Sequence, residues 1–230
     1  VYVNSAAALK AFCGEHGGVT CTSSNAKAIM NWAWKRREKI LFFPDEHLGR
    51  NTANAMGFPR EEIIVWDPFQ LNGGHTAEMI QKARLILWKG HCSVHQMFQP
   101  SHVDYFRKQY PEGNVIVHPE CHEDVVNKAD LVGSTEFIIR TVTQADPGTI
   151  WAVGTELNLV NRLKHDQPDK HVFFLSPMVC RCSTMFRIDG PHLCWAMENL
   201  VQGHVANHIQ VPEEEKTFAK LALDRMMVLS

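Results

Sequence analysis

The sequence predicts an α/β protein made of repeated three-layer α/β/α domains with parallel sheets. Short β-branched runs alternate with amphipathic stretches along nearly all of the 230 residues. Polar residues capable of chemistry follow directly after several of the apolar runs. Strands separated by helical stretches are typical of βαβ units, in which helices cover both faces of a parallel sheet.

Nine apolar runs are predicted as strands, because each is short and bounded by polar or turn residues. They are residues 1–3, 19–22, 40–43, 63–66, 85–87, 115–117, 131–132, 150–153 and 172–175. Residues 67–75 are predicted as a polar connection before a short helix.

Helical patterns occupy the intervals between the predicted strands. Gly17 and Gly18 predict the end of the first helix, and residues 23–25 predict an N-cap for the second, which runs through Trp34. The other predicted helices are residues 5–15, a helix from Asn51 onward, and residues 95–110, 122–128, 134–144, 155–165, 190–202 and 212–227.

The length of the chain predicts two modest domains rather than one large core. We place a three-layer domain at 1–88, a second at 89–188, and C-terminal helices at 189–230. The chain starts at Val1 in what reads as a strand already under way, so we expect it to begin inside a fold.

Composition indicates a soluble protein of the cytoplasm. Hydrophobic residues make up 45% and charged residues 21% of the chain, as in ordinary globular proteins. A net charge of −2 gives no reason to expect nucleic acid or an anionic membrane. No apolar run approaches the ~20 residues of a membrane span, and no signal peptide is evident. Seven cysteines, an odd number, favour a reducing compartment over a disulfide scaffold.

Three predicted strands end in residues that can bind metal or transfer protons. Residues 85–87 lead to Cys92 and His95, residues 115–117 to His118 and Glu120, and residues 172–175 to Cys180 and Cys182. Open α/β sheets bind ligands outside the carboxyl ends of their strands. We therefore expect one shared, metal-containing site.

The cysteines allow two interpretations. Thiolates bind iron–sulfur clusters and zinc, and Cys92 and Cys182 lie in polar turns after strands. The spacings of Cys92 with His95 and of Cys180 with Cys182 do not alone separate ligands from structural cysteines. Cys13 and Cys194 are predicted as small hydrophobes on apolar helix faces.

The turn after residues 115–117 suits acid–base chemistry, because Pro119 holds His118 and Glu120 in a rigid arrangement. The alternative is that Glu120 only caps the helix that starts near His122. Residues 22–25 and 133–135 have hydroxyls at predicted helix N-termini, which suit carboxylate or phosphate groups or serve as ordinary N-caps.

As a set, seven segments resemble quinolinate synthase, the iron–sulfur enzyme of NAD biosynthesis. They occur in the family's order over nearly the whole chain, and the set is specific although no single segment is. The segments are residues 2–5, 19–26, 44–49, 90–95, 117–121, 129–135 and 182–185.

The resemblance implies three similar α/β/α domains around a pseudo-threefold axis, with one cysteine from each binding a central [4Fe–4S] cluster. On this basis Cys92 and Cys182 are two ligands, and residues 1–88 and 89–188 are the family's second and third domains. The third ligand is expected upstream of Val1, in a first domain that this chain lacks. The other cysteines of the segments, Cys21, Cys121 and Cys180, are not expected to be ligands.

The implied activity condenses iminoaspartate (iminosuccinate) with dihydroxyacetone phosphate to quinolinate, with loss of phosphate and water, the cluster acting as a Lewis acid. Glu120 is the expected general acid–base, assisted by Tyr2, His95 and His118. The expected substrate-binding residues are Tyr2, Val3, Asn4, Ser23, His118, Pro119, Glu120 and Thr135. The partners are these small molecules and an L-aspartate oxidase or dehydrogenase as supplier, with no nucleic acid or membrane.

Residues 58–87 are longer than in compact members of the family, which indicates an extended connection. Two other functions stay open. In the first, the chain is a cluster-binding fragment without turnover. In the second, it is a zinc hydrolase that uses Cys92, His95, His118 and Glu120.

Overall fold

Two parallel sheets form the framework of residues 1–229, the part of the chain described by a computed structural model. The first sheet has the strand order β1-β3-β2 and the second β5-β4-β6-β7, and every strand pair is parallel. The predicted α/β class is confirmed. The strands are β1 (Ile40–Phe42), β2 (Ile63–Trp66), β3 (Leu85–Trp88), β4 (Asn114–Val117), β5 (Leu131–Val132), β6 (Ile150–Gly154) and β7 (His171–Phe174).

Helices connect the strands and continue beyond the second sheet. Within residues 1–229 they are α1 (Ala7–Glu15), α2 (Ala26–Trp34), α3 (Glu46–Ala55), α4 (Ala77–Lys82), α5 (Ser93–Gln96), α6 (Pro100–Gln109), α7 (Glu123–Lys128), α8 (Thr135–Gln144), α9 (Leu157–Asp166), α10 (Gly190–Val201) and α11 (Glu213–Leu229). Short 3-10 turns lie at Arg60–Glu62, Leu71–Gly74 and Met185–Arg187.

Two predicted helix boundaries are wrong, and each has a local cause. The helix expected from Asn51 begins at Glu46, because a side-chain oxygen of Asp45 accepts the Leu48 N–H at 2.7 Å and caps α3. The helix expected over 95–110 is divided into α5 and α6. Pro100 stands at the first position of α6, where its missing N–H is tolerated, whereas in a continuous helix it would remove a hydrogen bond.

The first two predicted strands are present only as extended segments. Tyr2 and Cys21 form a single parallel bridge, and the Tyr2 N–H donates to the carbonyl of Phe43 at 2.8 Å. The N-terminal segment therefore lies beside the end of β1 without a regular ladder, which brings Tyr2 to the carboxyl edge of the first sheet.

The second sheet has an apolar core on each face, as a three-layer domain requires. Val115 and Val117 of β4 pack into one cluster with Phe98. Ile116, which points to the other side, packs with Ile138 of α8. Successive side chains of a strand face opposite sides, so this strand is buried on both faces, as parallel strands usually are.

Helix α3 lies close against the first sheet. The core there contains Leu48 of α3 together with Leu85 and Leu87 of β3. A Cβ added to Gly49 would lie 2.5 Å from Leu87 Cδ2 and 2.8 Å from Phe42 Cδ1. The absence of a side chain at Gly49 thus allows the close approach of this helix.

The C-terminal helix α11 packs against the first part of the chain. Arg225 donates to the carbonyls of Gly14 at 3.0 Å and Gly18 at 2.6 Å, and the Thr20 N–H donates to the carbonyl of Ala222. The division into 1–88, 89–188 and 189–230 stays a prediction.

Helix α10 has no buried residue. Cys194 is exposed on it, with Sγ 3.4 Å from Glu198 Oε1, so the prediction that this cysteine packs as a small hydrophobe is wrong. None of the helices in residues 1–229 has the length and hydropathy to cross a bilayer.

Replacement of Gly14 by alanine should destabilise the contact of α1 with α11. The added Cβ would lie 1.8 Å from the carbonyl oxygen of Phe218, and such overpacking costs roughly 1–3 kcal/mol. Gly190→Ala is the matched control, since its Cβ would meet no atom within 4 Å. Urea unfolding measures both variants, and equal stability of the two would contradict this packing.

Candidate active site

A cavity of about 980 Å³ opens at the carboxyl ends of strands from both sheets. Its walls come from segments that directly follow β1, β3, β4, β5 and β6, which is where parallel sheets bind ligands. Of the residues predicted from the sequence, those on the wall are Tyr2, Asn4, Cys92, His95, His118, Glu120, Thr135 and Cys182.

Cys92, His95 and Glu120 form a group that can hold a metal ion. Their ligand atoms lie within 4.8 Å of one another. His95 Nδ1 is 2.7 Å from Glu120 Oε2, and both side chains are buried. A thiolate, an imidazole and a carboxylate are all ligands of transition metals.

The buried pair of His95 and Glu120 is charged at neutral pH. Burial lowers the pKa of His95, but the contacts with Cys92 and Glu120 outweigh burial and raise it to about 9. Burial raises the pKa of Glu120, but the contact with His95 outweighs it and lowers the pKa to about 2. The far nitrogen of His95, Nε2, lies 3.2 Å from the Thr155 hydroxyl, which orients the ring.

His118 is neutral beside this pair. Its ring stacks on His95 with centroids 4.7 Å apart, and burial together with the His95 charge lowers its pKa to about 4. The Glu120 N–H donates to His118 Nδ1 at 3.3 Å. An accepting Nδ1 places the proton of the neutral ring on Nε2, which is therefore a donor.

Tyr2 supplies a protonated hydroxyl. Burial and the negative charge of Glu120 raise its pKa, and its hydroxyl hydrogen-bonds the Glu120 carboxylate. Asn4 donates from Nδ2 to the same hydroxyl at 3.0 Å. The phenol is therefore a neutral donor beside the carboxylate.

The Cys92 loop docks on the N-terminus of α3. Asp45 Oδ2 accepts the Cys92 N–H at 3.1 Å, and the Glu46 N–H donates to the carbonyl of Gly90 at 2.8 Å. A Cβ on Gly90 would lie 2.3 Å from the carbonyl oxygen of Pro44, so the turn requires glycine. Burial and the charge of Glu120 raise the pKa of Asp45 to about 7.

Cys182 lies on the cavity wall but outside the group of three ligands. Its Sγ is 3.1 Å from the Thr184 hydroxyl and accepts the Met185 N–H at 3.5 Å. Burial raises the pKa of Cys182, but these hydrogen bonds outweigh burial and lower it. A lowered pKa favours the thiolate, the form that binds metal.

Three predicted substrate-binding residues do not line the cavity. Val3 packs on the core of the first sheet. Ser23 lies half-buried in the turn before α2. Pro119 is buried, and its carbonyl accepts a hydrogen bond from Asn51 Nδ2 at 2.8 Å.

The structure adds cavity residues that the sequence reasoning missed, namely Asp45, Thr155, Glu156, Asn158 and Arg162. Thr155 and Glu156 follow β6 directly and Asp45 follows β1 closely, so the rule of polar residues after strands could have found them. Arg162 lies within α9, where its sequence position carries no such signal.

Fold and site together define an α/β protein with a metal-competent thiolate, imidazole and carboxylate where its parallel strands end. The family model NadA, described as Quinolinate synthetase A protein, matches residues 1–228. The chain belongs to this family.

Curated relatives support the family membership. Proteins named quinolinate synthase are 56% identical over 99% of this chain in Rhodopirellula baltica, and 55% identical over 100% in both Herpetosiphon aurantiacus and Geobacillus kaustophilus. The matched regions cover 58%, 61% and 62% of those relatives. The chain therefore spans about three-fifths of their length.

Histidine titration in the metal-free protein tests the electrostatics of the site. By NMR, His95 should titrate near pH 9 and His118 near pH 4, with His95→Gln assigning the signals. Because the folded pKa of His95 exceeds its ordinary 6.5, its stabilising contribution is complete below pH 6.5 and lost as pH rises through 9. Titration of both rings near 6.5 would refute the buried pair.

Proposed function

We propose that this chain forms part of a quinolinate synthase, which condenses iminoaspartate with dihydroxyacetone phosphate and releases phosphate and water in de novo NAD biosynthesis. The observation that carries the proposal is the group of Cys92, His95 and Glu120, with Cys182 on the wall of the same cavity. Family membership supports the same reaction.

The donor set fits a [4Fe–4S] cluster, for which cysteine thiolates are the usual ligands. Cys92 and Cys182 are both half-buried on the cavity wall, whereas burial raises the pKa of Cys21 and Cys121 and disfavours their thiolates. The third ligand would come from outside this chain. When bound, a cluster with three protein ligands has one open iron, which supplies Lewis-acid chemistry to a substrate oxygen.

The His95–Glu120 pair would move protons. His95 Nδ1 and Glu120 Oε2 form an ion pair at 2.7 Å. Glu120 is the proposed general acid–base, because its carboxylate is ionised on the cavity wall and can take a substrate proton. Tyr2 and His118 Nε2 would donate to oxygens on which negative charge develops.

Anionic groups of the substrates would bind near Thr135 and Arg162 on the cavity wall. The N-terminus of α8 reaches the cavity at Thr135, and helix N-termini attract carboxylates and phosphates. At α9, the Asn158 and Leu159 N–H groups already donate to Glu156 Oε2. Arg162 adds a cation there, and Asn4 adds an amide. These groups suit a dicarboxylate and a phosphate ester better than a neutral substrate.

The substrate assignment also implies a supplier. An L-aspartate oxidase or an aspartate dehydrogenase would deliver iminoaspartate, and the site of action would be the cytoplasm.

A zinc hydrolase is the second candidate, since Cys92, His95 and Glu120 are close enough to share one ion. It leaves Cys182 and its hydrogen bonds to Thr184 and Met185 without a role. A third candidate keeps the cluster and lacks turnover. Metal content and activity of the full-length protein separate the three.

Loss of either proposed ligand should remove the cluster. In full-length protein purified without oxygen, we expect brown wild type and colourless Cys92→Ser and Cys182→Ser. Cys121→Ser is the control and should stay brown, since that thiol is fully buried against the Gly154 carbonyl. Iron content and visible absorbance are the measurements. A full cluster in Cys182→Ser, or a colourless wild type with one zinc, would contradict the assignment.

Glu120→Gln should keep the cluster and lose turnover. An amide cannot take the substrate proton, and loss of general acid–base catalysis lowers rates by about 10²–10⁴-fold. The assay supplies iminoaspartate and dihydroxyacetone phosphate and detects quinolinate by chromatography. Glu123→Gln, half-buried on α7 and outside the cavity wall, is the control. Normal activity of Glu120→Gln would remove this residue from the mechanism, and an inactive wild type with a full cluster would favour the fragment without turnover.

A further inference from the structure

Helix α3 contacts both loops that carry the metal-competent group. At its N-terminus, Asp45 binds the N–H of Cys92. Farther along, Asn51 reaches the turn that carries Glu120. Six residues of helix place these two contact points about 9 Å apart along one rigid axis.

The contact of Asn51 is specific in its chemistry. Its Nδ2 donates to the carbonyls of Pro119 and Cys121, each at 2.8 Å, which flank Glu120 on both sides. The opposite orientation of the amide would direct Oδ1 at two carbonyl oxygens, so only this one is compatible with the site.

The side chain of Asn51 has one buried polar atom without a hydrogen-bond partner in the described part of the chain, which costs folding stability. Asn51 is buried, and its Oδ1 finds no hydrogen-bond partner in residues 1–229. Buried polar atoms are normally paired, and departures from this rule are expected where function competes with stability. What Asn51 contributes is the pair of hydrogen bonds that holds the Glu120 turn.

We propose that Asn51 is a positioning residue which, with Asp45, sets the distance between the proposed cluster ligand Cys92 and the proposed general acid–base Glu120. The proposal rests on the proposed function in taking Cys92 as a cluster ligand and Glu120 as the general acid–base beside it. Co²⁺ reports on the same geometry, because the ligand atoms of Cys92, His95 and Glu120 lie within 4.8 Å of one another. Outer contacts of this kind change metal affinity or activity by 10–100-fold when they are lost.

Cobalt binding tests the proposal without any need for turnover. The probe is Co²⁺ added to metal-free, full-length protein carrying Cys182→Ser, so that the Cys92 thiolate dominates the charge-transfer absorbance. The added change Cys92→Ser gives the baseline. Asn51→Asp keeps the size of the side chain and removes both donors, and we expect its Co²⁺ affinity to fall about 10–100-fold.

Asn54→Ala is the matched control. Asn54 lies on the same helix and also contacts the second half of the chain. Its Nδ2 donates to Glu123 Oε1 at 2.9 Å, and neither residue lines the cavity. Its loss should leave Co²⁺ affinity unchanged. In cluster-loaded protein with Cys182 intact, Asn51→Asp should lower kcat for quinolinate while KM stays near that of the wild type. The kcat is calculated per intact cluster, so that a smaller folded fraction does not lower it.

Several results would overturn the proposal. These are a wild-type Co²⁺ affinity in Asn51→Asp, an equal loss in Asn54→Ala, or no Co²⁺ band above the Cys92→Ser baseline. If circular dichroism shows that Asn51→Asp does not fold, Asp45→Asn replaces it as the test variant. Asp45 contacts the Cys92 loop, so we expect the same loss of Co²⁺ affinity. An enzyme that makes no quinolinate refutes the proposed function alone, because the cobalt measurement still decides the role of Asn51.

Discussion

The contact between His95 and Glu120 is the interaction on which the site depends. It joins the loop after β3 of the first sheet to the turn after β4 of the second over 2.7 Å. Both side chains are buried, and a buried charge is tolerated only when it is paired. Each half of the cavity supplies one charge of the pair, so neither buried charge is paired unless both halves are in place.

The surrounding contacts orient this pair. The Thr155 hydroxyl hydrogen-bonds Nε2 of His95, and the Glu120 N–H donates to Nδ1 of the neutral His118 ring. Glu156 also lies on the cavity wall, and its buried Oε1 has no hydrogen-bond partner within residues 1–229. Polar groups at such positions are expected where a structure is arranged for binding rather than for maximal stability.

Much of this arrangement could be predicted from the sequence, because parallel strands bring their carboxyl ends to one edge. Cys92, Glu120 and Cys182 were found that way. The rule could not find Arg162, which reaches the cavity from within a helix, or Asn51, whose role depends on how α3 crosses to the second half. The helical pattern predicted the wrong start for α3. The structure shows that Asp45 caps this helix and also binds the Cys92 loop.

Iron anomalous diffraction from crystals of the full-length protein, grown without oxygen, is the most direct test of the central claim. We expect one compact iron peak that is bonded to the sulfurs of both Cys92 and Cys182 and lies beside the carboxylate of Glu120. Separate metal peaks at the two sulfurs, or a Cys182 sulfur directed away from the metal, would contradict it.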